Sequence, residues 1–182
     1  ADADVAIVNT CSFVQESIQE SIDTIMDVLE MKRRGDLQAV LVAGCLPQRY
    51  PMELYDELQD VDGFVGTDGF TDVEEVVENA LQGKRPLAIR KKPAVPHFGL
   101  AERVGLTPNH YAYLKVSEGC LKGCAFCIIP KLKGSLRSRS IDEVVDEARM
   151  LVETRGAREL IVVGQDTSDY GVDRHGAPQL VE

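Results

Sequence analysis

Three cysteines stand in the run Cys120-Leu-Lys-Gly-Cys124-Ala-Phe-Cys127. At that spacing one short loop can wrap three thiolates round an iron–sulfur cubane, for which thiolates are the usual ligands. Three thiolates leave one iron of a 4Fe–4S cluster without a protein ligand. Such an open corner lets a cluster bind and reduce a small molecule, where a fully ligated one only relays electrons. A structural zinc ion is the competing chemistry. Zinc prefers four protein ligands, commonly CxxC or Cys/His pairs, and no fourth cysteine or histidine stands close by in sequence; His110 and His175 would reach only through the fold.

The flanks show what must position these thiols. Residues 111–117 (Tyr-Ala-Tyr-Leu-Lys-Val-Ser) form an aromatic and β-branched run suited to a strand, and Glu118-Gly119 turns the chain into the first cysteine. Phe126, just before the third cysteine, would shield a cluster as a plain hydrophobe. The basic run Lys131-Leu-Lys133-Gly-Ser-Leu-Arg137-Ser-Arg139 reads either as a solvated loop or as a contact for an anionic group. Ser140-Ile-Asp-Glu143 is a capping box that opens a helix with Ile141, Val144, Val145, Ala148, Leu151 and Val152 on one face, closed near Gly156. Residues 160–163 are the next strand, followed by Gly164-Gln165-Asp166-Thr167. Strand, thiol loop, helix, strand is the beginning of a β/α barrel. One βαβ unit closes no barrel, so the chain reads as part of a larger one.

The first half alternates in the same way. Residues 4–10 and 39–43 are short continuous apolar runs of the kind buried parallel strands carry. Between them Ile18, Ile22, Ile25, Met26 and Leu29 recur at helical spacing, ending in Lys32-Arg33-Arg34-Gly35, a helix stop. A short helix is expected over 52–58, a short strand over 63–66, and a helix opened by a capping box at Thr71-Asp-Val-Glu74, running to Leu81 and closed by Gly83. This alternation predicts a parallel α/β sheet with right-handed crossovers. From Lys84 to Asn109 the pattern lapses among Pro86, Pro93, Pro96 and Pro108. The expected organisation is an α/β domain over 1–90, a linker over 91–110, and the start of a barrel over 111–182. Cys11 and Cys45 each follow directly on a predicted strand. Ligands of open α/β sheets collect beyond strand carboxyl ends, so the two thiols are expected to face one crevice; a pair of small core hydrophobes is the alternative.

Composition narrows the class. The 182 residues are 44% hydrophobic and 27% charged, a globular balance, and the net charge of −10 argues against a nucleic-acid-binding face. Five cysteines, an odd count without a signal peptide or long apolar segment, point to the reducing cytosol, away from a disulfide framework or a membrane span.

The CxxxCxxC spacing resembles the radical S-adenosylmethionine (SAM) superfamily, in which the open iron chelates the amino and carboxylate groups of SAM. By that resemblance Phe126 would lie near the adenine. Asn9-Thr10-Cys11 after one strand, Gly44-Cys45-Leu-Pro-Gln-Arg49 after the next, a linker and then CxxxCxxC are together similar to the methylthiotransferases of that superfamily. The resemblance implies a flavodoxin-like N-terminal domain holding a second 4Fe–4S cluster on three cysteines. Cys11 and Cys45 match the second and third of these; the first would lie upstream of Ala1, outside the chain.

Within the family the stretches Asn9-Thr-Cys-Ser-Phe-Val14, Glu20-Ser-Ile22, Pro47-Gln-Arg-Tyr50, Tyr113-Leu-Lys-Val-Ser-Glu-Gly-Cys120, Phe126-Cys-Ile-Ile-Pro130 and Gln165-Asp-Thr-Ser-Asp-Tyr-Gly171 resemble the RimO type. That type modifies an aspartate of a small-subunit ribosomal protein. The transfer-RNA adenosine branch, the MiaB type, is the alternative, and it tends to carry Gln-Asn where this chain has Gln165-Asp166. One departure is Lys133-Gly134, where Arg-Gly is common. The resemblance implies that the cluster on Cys120, Cys124 and Cys127 reduces SAM to a 5′-deoxyadenosyl radical, which takes hydrogen from the aspartate β-carbon. The second cluster then supplies sulfur, and a second SAM the methyl group. It also implies a flavodoxin- or ferredoxin-type electron donor, and substrate contacts in further barrel strands and a small β-barrel. Gln165, then Asp166, at the end of the second barrel strand, are the candidate SAM contacts; a turn-capping role is open for Asp166. Glu118 is a weaker candidate, and Arg137 and Arg139 would reach the SAM carboxylate or the substrate. An iron–sulfur electron carrier, or a chain without turnover of its own, is the competing class.

Overall fold

A computed structural model describes residues 3–90 and 108–181. The chain divides into two compact units, Ala1–Ala94 and Val95–Glu182. Most of the linker expected over 91–110 lies outside the described residues.

The first unit is built on β1 (Val5–Thr10), α1 (Gln15–Arg33), β2 (Ala39–Gly44), α2 (Cys45–Arg49), α3 (Pro51–Glu57), β3 (Gly63–Val65), α4 (Val73–Leu81) and β4 (Leu87–Ala88). The four strands form one sheet in the order β1-β2-β3-β4, every pair parallel. Successive strand side chains point to opposite faces, and β2 uses both. Val40 and Val42 pack with Ile25 and Leu29 of α1, with Leu54 and with Phe64, while Ala39 and Leu41 pack with Val76 and Ala80 of α4. Of the helical spacing read from Ile18 to Leu29, Ile18, Ile22, Ile25 and Leu29 form the face that α1 lays on the sheet, while Met26 is exposed. Its last turn carries Lys32 and Arg33, which complement the carboxyl end of the helix dipole.

Three readings of this half change. The capping box at Thr71 does not form: Gly69–Asp72 is a 3-10 turn, Asp72 precedes α4 without a side-chain cap, and Thr71 donates instead to Asp72 Oδ1 at 3.1 Å. β1 is half-exposed, with Ile7 46% accessible, because it stands at the end of the sheet. β4 lies within the proline-rich stretch, its two residues too few to show a period.

The second unit contains β5 (Tyr111–Lys115), β6 (Ser117–Glu118), α5 (Ile129–Lys133), β7 (Arg137–Ser138), α6 (Ile141–Arg155), β8 (Glu159–Val163) and α7 (Val172–His175). β5 and β8 pair in parallel from Tyr111↔Glu159 to Lys115↔Val163, and β6 pairs antiparallel with β7. The capping box at Ser140 is complete: Glu143 N–H donates to Ser140 Oγ at 3.3 Å and Ser140 N–H to Glu143 Oε2 at 2.9 Å. Leu151 of α6 enters the core formed by Ala112, Leu114, Val116, Ala157 and Tyr170. The basic run is not a solvated loop. Arg139 is buried beside Glu147 and donates to the Lys115 carbonyl at 2.9 Å, and Arg137 donates to the Lys133 carbonyl at 2.8 Å. No described helix is long and apolar enough to cross a membrane.

Arg85 ties the first unit together. Its guanidinium lies 4.0 Å from the Tyr55 ring centre and donates to the carbonyls of Tyr55, Leu58 and Val61 at 2.7, 2.7 and 2.8 Å. Replacing it strips three carbonyls of a charged donor and removes the ring contact, so Arg85→Ala is expected to cost about 2 kcal/mol of stability in urea unfolding. Arg85→Lys should recover less than half of that, because one ammonium does not reproduce the planar fork.

Candidate metal centre

The thiol loop leaves from the carboxyl end of the β5–β8 pair. Val116 N–H donates to the Val163 carbonyl at 3.1 Å, extending the pairing one residue before the chain turns. Gly119 makes the turn with φ +79°. A Cβ there would stand 2.2 Å from the Ser135 carbonyl oxygen and 2.7 Å from that of Gly134, so the backbone approaches closer than any side chain allows. Cys120 N–H then donates to the Gly134 carbonyl at 3.2 Å, anchoring the first thiol residue. Within the loop Cys127 N–H donates to the Cys124 carbonyl at 3.0 Å, and Lys122 N–H donates to Cys120 Sγ at 3.3 Å. An amide aimed at sulfur is one of the contacts that set the potential of a bound cluster.

The side chain of Lys122 ties the loop to the segment after β8: its Nζ lies 2.8 Å from Asp169 and 3.7 Å from Asp166, and the Asp169 carboxylate raises the lysine pKa. Cys124 is exposed, Cys120 and Cys127 are half-buried, and all three are free thiols. Phe126 is 93% exposed. Among the described residues no three His, Cys, Asp or Glu side chains form a site for a metal ion. A cubane makes a different demand, one thiolate for each of three irons, and a loop with three free thiols and an amide on one of them has the donor set for it.

Beside the loop, Glu118 is buried and holds three partners. Lys115 donates to its Oε2, Gln165 Nε2 donates to its Oε1 at 2.7 Å, and Lys133 Nζ stands 3.7 Å away. Burial pushes the Glu118 pKa up, but the Lys115 hydrogen bond, the Lys133 and Lys115 charges and the Gly119 N–H together outweigh it; the carboxyl lies below its ordinary value. Two buried oxygens at this strand end, Ser117 Oγ and Gln165 Oε1, have no hydrogen-bond partner among the described residues. Asp166 caps a 3-10 turn (Thr167–Asp169), accepting from Ser168 N–H at 3.0 Å and from its hydroxyl at 2.5 Å. The hydroxyl bond leads the contacts that lower the Asp166 pKa.

Cys11 and Cys45 follow the last rung of the β1–β2 ladder, where Thr10 faces Gly44. Their loops are tied together: Thr10 Oγ donates to the Ala43 carbonyl at 2.7 Å, Ser12 Oγ to the Cys45 carbonyl at 3.1 Å, and Leu46 N–H to Thr10 Oγ at 3.2 Å. Gly44, at φ +99°, would bring a Cβ within 2.6 Å of the Thr10 carbonyl oxygen. Both cysteines are half-buried, and neither forms a disulfide. A cavity of about 210 Å³ opens beside Cys11, with Glu20 and Ser21 in its wall.

Sequence reasoning did not single out Lys115, Ser117 or Lys122 as parts of this site, and it named Lys133 only within the basic run. A lysine ending an otherwise apolar barrel strand was the available signal for Lys115. Lys133 comes to Glu118 only through the fold.

Two family models match separate parts of the chain. Residues 1–66 match the model of Uncharacterized protein family UPF0004, and residues 114–177 match that of the Radical SAM superfamily. Similar curated proteins include the ribosomal protein uS12 methylthiotransferases RimO of Pelotomaculum thermopropionicum (43% identity over 98% of this chain) and Geobacter sulfurreducens (46% over 98%), each covered to 40% of its own length. That of Bdellovibrio bacteriovorus is 44% identical over 94% of this chain, with 37% of its own length covered. The chain thus spans about two fifths of the length of these relatives. A parallel α/β unit followed by a thiol loop on a β/α strand end defines a radical SAM protein with an N-terminal UPF0004 domain. Within that class, the chain belongs to the RimO-type methylthiotransferase family.

Gly119→Ala is the sharpest local test of the loop. Left-handed backbone at a residue with a Cβ costs about 1–3 kcal/mol, and the Ser135 carbonyl must also move. The variant is expected to lose most of its iron after anaerobic reconstitution with iron and sulfide, whereas Gly123→Ala, whose Cβ meets nothing within 4 Å, should keep it.

Proposed function

We propose that this chain carries the cluster-binding part of a radical SAM methylthiotransferase acting on an aspartate β-carbon of ribosomal protein uS12. The observation that carries the reading is the loop of three free thiols, locked by Gly119 to the carboxyl end of β5. A C–H bond at that carbon has no proton acidic enough for side-chain bases, which is why a radical cofactor suits the step. When bound, a 4Fe–4S cluster with one open corner supplies single-electron reduction of SAM.

The chain's own residues bind, orient and exclude water. Cys120, Cys124 and Cys127 would hold the cluster. Gln165, Asp166 and Glu118 form the polar wall assigned to the SAM side, with Phe126 assigned to the adenine. Cys11 and Cys45 would be ligands of the auxiliary cluster that donates sulfur. The domain assignment follows: residues 1–90 for the auxiliary cluster, 91–110 as linker, 111–182 for the radical SAM site. The proposed setting is cytoplasmic, on the small ribosomal subunit, with a flavodoxin- or ferredoxin-type reductant. The Gln165-Asp166 pair and the relatives' names favour the ribosomal-protein substrate over transfer RNA.

Anaerobic reconstitution followed by metal counting and EPR of the reduced protein tests this. Expected is a signal from a cluster of about four irons that changes when SAM is added. Alanine at Cys120, Cys124 or Cys127 should abolish the SAM-sensitive signal, and alanine at Cys11 should leave it. Bound zinc, or a signal indifferent to SAM, would replace this reading with a structural or electron-carrying site.

A further inference from the structure

Residues 121–126, the arm of the thiol loop that carries Cys124, are exposed, and Lys122 is their only Lys, Arg, Asp or Glu. Its ammonium reaches out of the loop to Asp169 Oδ2 at 2.8 Å, with Asp166 Oδ2 at 3.7 Å. Both carboxylates are held from behind. Asp166 leaves Oδ2 for Lys122 because its Oδ1 accepts from the Ser168 N–H and hydroxyl. Asp169 ends its 3-10 turn beside Tyr170, which is buried and donates its hydroxyl to the Arg139 carbonyl at 3.0 Å. Gly171 N–H then donates to Ser138 Oγ at 2.9 Å, so β7 fixes the far side of the turn. The anchor belongs to the core, and the arm it holds to the surface.

At the other end of the same residue, the Lys122 N–H donates to Cys120 Sγ at 3.3 Å. One residue therefore carries both the tie to the fold and a hydrogen bond to one thiol of the cluster set. An N–H dipole aimed at a ligand sulfur stabilises added negative charge, which raises the potential of a bound cluster. The Lys122 side chain is 50% exposed, and an ion pair so placed adds little stability. What it restrains is the position of an amide.

We propose that Lys122 is a positioning residue. Its ion pair with Asp169 keeps its own N–H on the Cys120 sulfur and so raises the potential at which a cluster in this loop takes up one electron. This rests on the radical SAM reading above and deepens it. The ammonium charge is a separate influence, since a cation near a cluster also favours the reduced state. Removing the carboxylate separates the two. Charge alone predicts a higher potential when Asp169 is lost, because the ammonium is then less neutralised. Release of the N–H predicts a lower one.

An EPR-monitored titration of the reconstituted chain with dithionite, run without SAM on the reduced-cluster signal that SAM perturbs, reads the difference. Asp169→Ala is expected to disfavour the reduced cluster about tenfold, a shift of about 59 mV to lower potential for one electron. Lys122→Met should fall at least as far, having lost the ammonium as well. The double variant, Lys122→Met with Asp169→Ala, keeps the parent's net charge and should still titrate low. Lys122→Arg, whose guanidinium reaches the same carboxylates, should titrate with the parent, and all four variants should keep the parent's iron content. A rise in Asp169→Ala, or a double variant that titrates with the parent, would assign the effect to charge and overturn the positioning role. Loss of iron without a shift in the remaining signal would make the pair a structural clasp and overturn it too. A parent that holds iron yet gives no SAM-sensitive signal would overturn the radical SAM reading itself, and this inference with it.

Discussion

Parallel strand pairing is the constraint on which both units depend. A parallel partner obliges the chain to cross back over the sheet before the next strand begins, so successive strands finish at the same edge. β1 and β2 end together at Thr10 and Gly44, and β5 and β8 end together at Lys115 and Val163. Every cysteine of the chain lies in a segment that leaves such an edge. Residues far apart in sequence thereby become neighbours without a dedicated scaffold: Ser12 reaches the Cys45 carbonyl, and Gln165 reaches Glu118.

At these edges the backbone, more than the side chains, sets how closely the loops approach. Gly44 precedes Cys45 and Gly119 precedes Cys120, and at both positions a Cβ would collide with a carbonyl oxygen. Each glycine lets its loop fold against its neighbour, and each cysteine inherits a fixed starting direction.

Charged groups in the second unit serve to place the loop. Lys115 and Lys133 hold Glu118, Lys122 spans to Asp169, and Arg139 is buried beside Glu147 while capping the Lys115 carbonyl. Taking such groups out of water is costly unless their hydrogen bonds are met. What they provide here is direction, since a salt-bridged carboxylate orients an amide and a buried guanidinium holds the end of β5.

Much of the fold was legible in the sequence, because the signals concerned are local. The apolar spacing of α1 and the Ser140–Glu143 box of α6 depend on residues within one or two turns, and the CxxxCxxC spacing limits its chemistry through chain geometry alone. The Thr71 box shows where locality fails: its residues match, yet a 3-10 turn at Gly69–Asp72 takes over the entry to α4. The two-residue strands β4, β6 and β7 carry no period and exist only because a partner lies beside them. The sequence by itself determined the thiol loop, the alternation of strands and helices, and the candidacy of Gln165 at a strand end. Only the tertiary structure decided that Glu118 is clamped by Lys115 and Lys133, that Gln165 turns its nitrogen toward it, and that Arg139 leaves solvent. Such pairings depend on strand register and crossover path, which bring together side chains whose own neighbours in sequence say nothing of each other.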